Sequence, residues 1–389
     1  MAFALYGMVV VLAPAIGPTI GGWITDNYQW RWIFYMNVPV GVLSLFLVSR
    51  FVEDPYYLTR QLKQARKSLS IDYAGIGLLA LCLGALQVVL DRGQEDDWFV
   101  SHLISILAVV FVVSLVSFVI WELTRRRPVL DLRLFKNRNF AAAAMMIFVY
   151  GIQVYGMTVF IPQFMQAYMG YNAQLAGMTL APGATVMIVL MPVVGKLVRR
   201  VQARWLTMAG FLASAFALYF VTMHIDQQID FRTAATYRCL QSLGLAVLFI
   251  PINTASYVGV PEEKGGEVSG LINLLRNVGG SVGISMVETM VTRRAQFHQD
   301  ELIAHVTPAR QSFRTFTDRM STTLFHRGLS QSQAMRQSYL RAYDAVVTQA
   351  TVQSYMDVSW LIAVVCLLMA PLALLLKRND TTQAQVVAE

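Results

Sequence analysis

Runs of about 20 apolar residues, each long enough to cross the hydrocarbon of a bilayer, follow one another along most of this 389-residue chain. Ten can be placed, at approximately 3–22, 32–52, 73–90, 100–121, 140–160, 176–197, 205–223, 234–258, 268–291 and 356–376. A lone segment in hydrocarbon must satisfy its own backbone donors and acceptors, so such runs are helices. The expected fold is all-α: a polytopic membrane protein with about ten transmembrane helices. Composition agrees, with 56% hydrophobic residues and only 14% charged, against about 25% charged in soluble domains. The net charge of +8 sits mostly in short loops between the runs, which speaks against a nucleic-acid-binding face. Cys82, Cys239 and Cys366 fall inside apolar runs and read as small buried hydrophobes, not as a disulfide or metal framework.

An even number of spans puts both termini on one side, and lysine and arginine choose that side. Alternate loops at 53–72, 122–139 and 198–204 hold the excess of these basic residues, for instance Lys63, Arg66, Arg126, Arg127, Arg199 and Arg200. The opposite short loops hold Arg31, Arg92 and Arg232. Both termini, including the tail at 377–389, are therefore expected in the cytoplasm, and the segment 292–355 outside as a soluble excursion. Within it, the sequence from Ser330 to Tyr355 reads as an amphipathic helix leading into the last span. His298 and His305 lie there without further ligands at suitable spacing and read as solvated.

The first run is unusual. In "APAIGPTIGGW" (13–23), Pro14, Pro18 and Gly22 recur every four residues, and so do Ala13, Gly17 and Gly21. On a helix these are two neighbouring stripes. One removes backbone donors, and the other lacks side chains and is expected to let a second helix approach closely. A cleaved signal sequence would carry a basic leader and a plainer apolar stretch, and this run has neither.

"GPTIGG" (17–22) followed by "WRWIFYMNVPVG" (30–41) resembles the fifth and sixth helices of the 14-span drug:proton antiporters of the major facilitator superfamily, the EmrB/QacA type. In the first part Pro14, Gly17, Pro18, Gly21 and Gly22 match an antiporter motif, with Ala13 in place of a leading glycine. In the second, Trp30, Arg31, Asn37 and Pro39 match a family hallmark. "LAGMTLAPGA" (175–184), "RCLQSLGLAVLFIPIN" (238–253) and "GLINLLRNVGGSVG" (270–283) resemble the tenth, twelfth and thirteenth helices, and "GKLVRR" (195–200) a loop motif with Arg199 in place of its aspartate. The resemblance implies the major facilitator fold, a chain that begins at the fifth helix and lacks the first four, and alternating access between two six-helix bundles. It implies the last two helices of the N-terminal bundle at 1–52, linkers and two additional helices at 53–139, and the C-terminal bundle at 140–376. It also implies a multi-pass protein of the inner membrane, driven by a proton gradient and without a bound cofactor.

Several residues could carry chemistry. Met146, Tyr150, Gln153, Met157 and Phe160 form one stripe at helical spacing, suited either to a cavity that accommodates varied apolar ligands or to an ordinary helix contact. Arg238 and Arg276 enter the membrane, where a charge costs at least about 2.5 kcal/mol and calls for a partner or water. Arg276 fits gating or substrate contact, and equally a bond to helix-end carbonyls. Proton coupling calls for a buried acid; the middles of the ten runs contain none, and Glu288, near the end of its run, is the remaining candidate beside its reading as an interface carboxylate.

No phosphate loop, nucleophile elbow or metal-ligand set is present, so an enzyme is not expected. The expected function is multidrug efflux of hydrophobic or amphipathic compounds. The alternatives are a non-transporting remnant or interaction partner, and an exporter of a siderophore, fatty acid or other metabolite. Expected partners are the lipid bilayer, small drug-like substrates, and a periplasmic adaptor with an outer-membrane duct, but no nucleic acid.

Overall fold

Short polar side chains placed just ahead of the apolar runs set where helices begin. The computed structural model describes residues 16–51, 72–125, 128–226 and 229–377, so Ala13 and Pro14 lie outside the described residues. Among these, helix α1 covers 16–27, α2 Trp32–Phe51, α3 Tyr73–Arg92, α4 His102–Thr124 and α5 Arg138–Tyr168. Then come α6 Ala173–Leu197, α7 Ala203–His224 and α8 Phe231–Tyr257, α9 Gly265–Ile303, α10 Gln311–His326 and α11 Gln331–Leu372. Asp72 caps α3 through the Gly75 amide at 3.0 Å, Asn172 caps α6 through Leu175 at 2.9 Å, and Asp230 caps α8 through Thr233 at 2.9 Å. Ser330 opens α11 with a reciprocal capping box to Gln333.

Eight of these helices are long and apolar enough to cross a membrane, by length and composition. Of the ten expected runs, the first (3–22) lies within the described residues only at 16–22, and the ninth, within the 39-residue α9, falls short because it is rich in glycine, serine and asparagine around Arg276. The expected excursion at 292–355 is helical for most of its length: α9 continues to Ile303, α10 forms a separate helix, and α11 runs without interruption from Gln331 into the last span.

Helices α5, α6, α7, α8, α9 and α11 pack as one bundle. In it α9 lies on α5 and α11, α7 on α8 and α11, and α8 on α6 and α5. Its tightest crossing, α5 against α9, is built from glycine on both sides. A Cβ at Gly283 would stand 2.6 Å from the Ile152 carbonyl oxygen, and one at Gly156 would stand 3.1 Å from the Gly283 carbonyl oxygen; Gly151 and Gly279 face the carbonyls of Arg276 and Phe148 still more closely. Lipid tails are as apolar as leucine, so helix association in a bilayer relies on such backbone approach. One end of the bundle is tied by Asn139, which is 1% exposed. Its side chain donates to the Ala255 carbonyl at 2.5 Å and accepts from the Lys377 amide at 2.8 Å, joining α5, α8 and the end of α11.

Helices α3 and α4 form a hairpin that meets the bundle through α3, where the Ser281 hydroxyl donates to Gln87 at 2.8 Å. At the foot of the hairpin the Trp121 indole donates to Asp72 at 2.9 Å. The Gly75 amide, and then this indole, hold the Asp72 carboxyl below the ordinary range. Lys264, just before α9, pairs with Asp131, between α4 and α5. Burial works against ionisation of Asp131, but the Lys264 ammonium and the Arg133 amide outweigh it, so its pKa is lowered; the bond to Asp131 in turn raises that of Lys264. The pair therefore stabilises the fold above the ordinary aspartate range and below the ordinary lysine range. It is lost as pH falls through the lowered value or rises through the raised one. Lys264 is 41% exposed and screened, so Asp131→Asn is expected to cost at most about 1 kcal/mol. The loss in thermal midpoint should be constant from about pH 5 to pH 9 and shrink at both extremes.

Candidate functional site

The stripe on α5 faces the bundle interior without exception: Met146, Tyr150, Gln153, Met157 and Phe160 are all 1% exposed or less. Their surroundings are close-packed. Phe160 meets the Tyr355 ring edge-on at 4.8 Å, Tyr150 lies 5.7 Å from Phe249, and Gln153 accepts from the Cys366 thiol at 3.6 Å. Of the two uses that the stripe allowed, the structure displays the helix contact. Neither of two surface cavities includes any of the five. The first, of about 640 Å³, lies between α10 and α11 and is lined by Gln311, Phe316, Arg319, Arg327 and Arg341 among others. The second, of about 820 Å³, is apolar and lies between α6 and α8, lined by Pro182, Val186, Val189, Phe231 and Leu243 among others.

Both intramembrane arginines lie inside the bundle rather than at its rim. Arg238 is 3% exposed, and its guanidinium donates to Gln241 at 2.7 Å and to the Thr158 hydroxyl at 3.0 Å. Gly183 makes room for it: a Cβ there would stand 2.6 Å from Arg238 Cγ. Arg276 is 8% exposed, donates to Asn273 at 2.7 Å and lies 5.9 Å from the Phe249 ring centroid. The helix-end carbonyls suggested for Arg276 are not its partner; a side-chain amide one turn earlier is. Among the described residues neither arginine has an ion pair. Glu288 is half-buried on α9, where its carbonyl accepts from the Thr292 hydroxyl.

Helix α1 meets the bundle at the start of α6. The Thr19 hydroxyl donates to the Gly177 carbonyl at 2.9 Å, and Asp26 accepts from the Gln174 amide at 2.8 Å. A Cβ on Gly177 would lie 2.5 Å from the Pro18 carbonyl oxygen, and Gly22 presses on the Ala173 carbonyl. The Pro18 and Gly22 stripe receives the neighbour, while no described residue comes within 4 Å of a Cβ built on Gly17 or Gly21. The reason is directional: Gly22 and Pro18 share the helix face that carries Thr19 and Asp26, and Asp26 takes up the Gln174 amide, one of the N–H groups that the start of α6 leaves without an intrahelical partner. Trp30, Arg31, Asn37 and Pro39 follow on a segment without buried residues; Asn37 bonds back to the Ile33 carbonyl at 3.3 Å, and Arg31 lies over Trp30.

Two polar clusters escaped sequence reasoning. Asp357 on α11 accepts from Arg294 at 2.5 Å and bonds His298 at 2.8 Å, both on α9. His298 is thus held by a carboxylate and not merely solvated. The available signal was Asp357 at the start of an apolar run, with a basic pair four residues apart elsewhere. Glu122, near the end of α4, is 1% exposed and accepts from the Leu130 amide at 3.2 Å. It fell one residue beyond the predicted run.

These helices and their buried contacts define a multi-pass membrane protein. Residues 1–284 match the model of the Major Facilitator Superfamily. The chain is 35% identical over 334 residues to Multidrug export protein EmrB of Escherichia coli (strain K12), covering 86% of this chain and 63% of that protein. It is 34% identical over 363 residues to EmrB of Haemophilus influenzae, covering 93% and 68%. It is 35% identical over 312 residues to Fatty acid resistance protein FarB of Neisseria gonorrhoeae, covering 79% and 59%. The chain belongs to the Major Facilitator Superfamily, in the group that contains the EmrB proteins. It spans about six-tenths of the length of the E. coli relative.

Proposed function

We propose that this chain works in multidrug efflux at the inner membrane, exporting hydrophobic or amphipathic compounds by proton-coupled alternating access. The observation that carries the proposal is the identity to a multidrug export protein, sustained over 334 residues. The contact between α1 and α6 supports the mechanism. It joins a helix outside the bundle to the bundle through backbone and two polar bonds, with little side-chain interlock to resist separation, as a contact that opens and closes requires. The distribution of lysine and arginine supports cytoplasmic termini, which places the α1–α6 contact and the Asp357 cluster on the outer side. The hairpin of α10 and α11 then lies outside, where a periplasmic adaptor leading to an outer-membrane duct would dock. Proton coupling at Glu288, half-buried on α9, is part of the same proposal.

Energised inverted membrane vesicles containing the chain test this reading. A hydrophobic dye such as ethidium should accumulate against its gradient, and an uncoupler should collapse the accumulation. Inserted protein that moves no dye under a proton gradient would contradict it.

A further inference from the structure

Glu122 is a buried carboxyl group whose oxygens are only half satisfied. It is 1% exposed near the end of α4, where Oε2 accepts from the Leu130 amide at 3.2 Å and Oε1 has no hydrogen-bond partner among the described residues. The free oxygen faces the first turn of α3. A Cβ built on Gly75 would stand 2.9 Å from it and 3.1 Å from Asp72 Oδ2. The two carboxyl oxygens therefore lie within about 6 Å of each other, the sum of those distances, a range over which like charges oppose each other's ionisation.

No described cation balances a charge at Glu122. The charged groups around it are Asp72 at the start of α3, Arg125 at the end of α4, Asp131 and Arg133 between α4 and α5, and, beyond Asp131, Lys264 and Glu267 at the start of α9. Each of the basic ones is engaged elsewhere. Arg125 lies over the Trp121 ring at 4.4 Å, Arg133 donates to the Leu123 and Arg125 carbonyls at 3.0 and 3.1 Å, and Lys264 pairs with Asp131. A buried carboxylate without a counter-charge is costly, and such a group is relieved by holding a proton. Protonated, the free oxygen becomes a donor facing the Asp72 carboxylate instead of a second anion.

Three parts of the chain meet at this proton. Asp72 caps α3 and holds the Trp121 indole, Leu130 belongs to the linker from the hairpin to the bundle, and Asp131 ties that linker to Lys264 ahead of α9. Once ionised, Glu122 would repel Asp72 and Asp131 together and draw water into the gap over Gly75, separating the linker from the hairpin. We propose that Glu122 is a protonated carboxylic acid in the resting protein and acts as a clasp between the α3–α4 hairpin and the linker to the bundle, closed while the proton is held and open once it is lost. The topology proposed above places the clasp on the cytoplasmic side, so an alkaline cytoplasm opens it; the clasp itself is testable without transport.

The test follows the full 389-residue chain in nanodiscs by infrared difference spectroscopy and by hydrogen exchange, from about pH 6 to about pH 10, a span that covers the values documented for buried carboxyls. At the low end, subtracting the Glu122→Gln spectrum from that of the wild type should leave the carbonyl stretch of one protonated carboxylic acid. This band should fade as pH rises, and a carboxylate band should replace it. Exchange at the Leu130 amide is expressed relative to Glu122→Gln at the same pH, so that its intrinsic pH dependence cancels. The two should be equal at the low end, and the wild type at least about tenfold faster at the high end. Asp72→Asn keeps a residue that caps well but removes the facing charge, so the acid band should fade at a pH lower by about one unit. Should Glu122→Gln not fold, that shift of the wild-type band decides alone. A carboxylate band at Glu122 already at the low end, with Glu122→Gln less stable than the wild type there, would overturn the proposal and make Glu122 a structural anion. An acid band that persists throughout the range, with exchange at Leu130 unchanged, would leave a fixed buried acid and would equally overturn the clasp.

Discussion

Gly279→Leu is expected to prevent the bundle from assembling. The residue faces the Phe148 carbonyl across the α5–α9 crossing, closer than any Cβ can approach a backbone oxygen. The obstacle is main chain on the opposing helix, so rotamer changes cannot relieve it. Gly151, Gly156 and Gly283 along the same crossing leave no slack, because each already faces backbone. Accommodation requires the helices to separate, and the penalty for overpacking, on the order of 3 kcal/mol or more here, is a large part of a domain's stability. Detergent-solubilised Gly279→Leu should lose its monodisperse chromatographic peak and its cooperative thermal transition. Gly270→Leu on the same helix is the control. Its Cβ would stand 4.0 Å from Leu130 with no nearer neighbour, and the protein should behave like the wild type.

The second large effect falls on function rather than folding. Gly177→Leu places a branched side chain where the nearest atom, the Pro18 carbonyl oxygen, lies 2.5 Å from a Cβ. Helix α1 must then move away from α6, breaking the Thr19 and Asp26 hydrogen bonds. The bundle's own crossings are elsewhere, so its thermal midpoint should shift little. If the α1–α6 contact closes the outer side during transport, gradient-driven dye accumulation should fall at least about tenfold, the consequence of about 1.4 kcal/mol in the closing equilibrium. Gly17→Leu and Gly21→Leu, on the stripe with no described neighbour within 4 Å, should leave accumulation near the wild-type level.

The contrast between these glycines shows what a sequence can and cannot convey about such a fold. The four-residue spacing that links Gly17 to Gly21 and Pro18 to Gly22 identifies a helix built for close approach, but not which stripe a neighbour will use. That choice depends on Thr19 and Asp26 finding the open start of α6, more than 140 residues away in the chain. Gly279 and Gly280 lie in the stretch 270–283 that carries the family resemblance, whereas Gly151 and Gly156 become meaningful only once α5 lies against α9. The α5 stripe was legible as one face because helical period alone fixes it. Whether that face lines a cavity or packs into a core depends on neighbours, and Phe249, Tyr355 and Cys366 fill the space against it. Helix α10 shows a different obstacle: Phe313, Phe316, Met320 and Leu324 recur at helical spacing, but the polar residues between them hide the stripe from a search for apolar runs. The cluster of Asp357, Arg294 and His298 joins residues 59 and 63 positions apart on two helices, and no local pattern encodes such a meeting.

The proposal that α1 and α6 form a moving contact is tested most directly by tethering it. Asp26→Cys and Gln174→Cys, in a background with Cys82, Cys239 and Cys366 replaced by alanine, would be joined by a short bifunctional thiol reagent that carries a reducible bond. The account predicts efficient cross-linking at rest, a lower yield when a proton gradient and a transported dye are both present, arrest of dye accumulation by the cross-link, and recovery on reduction. Undiminished accumulation by fully cross-linked protein would contradict it.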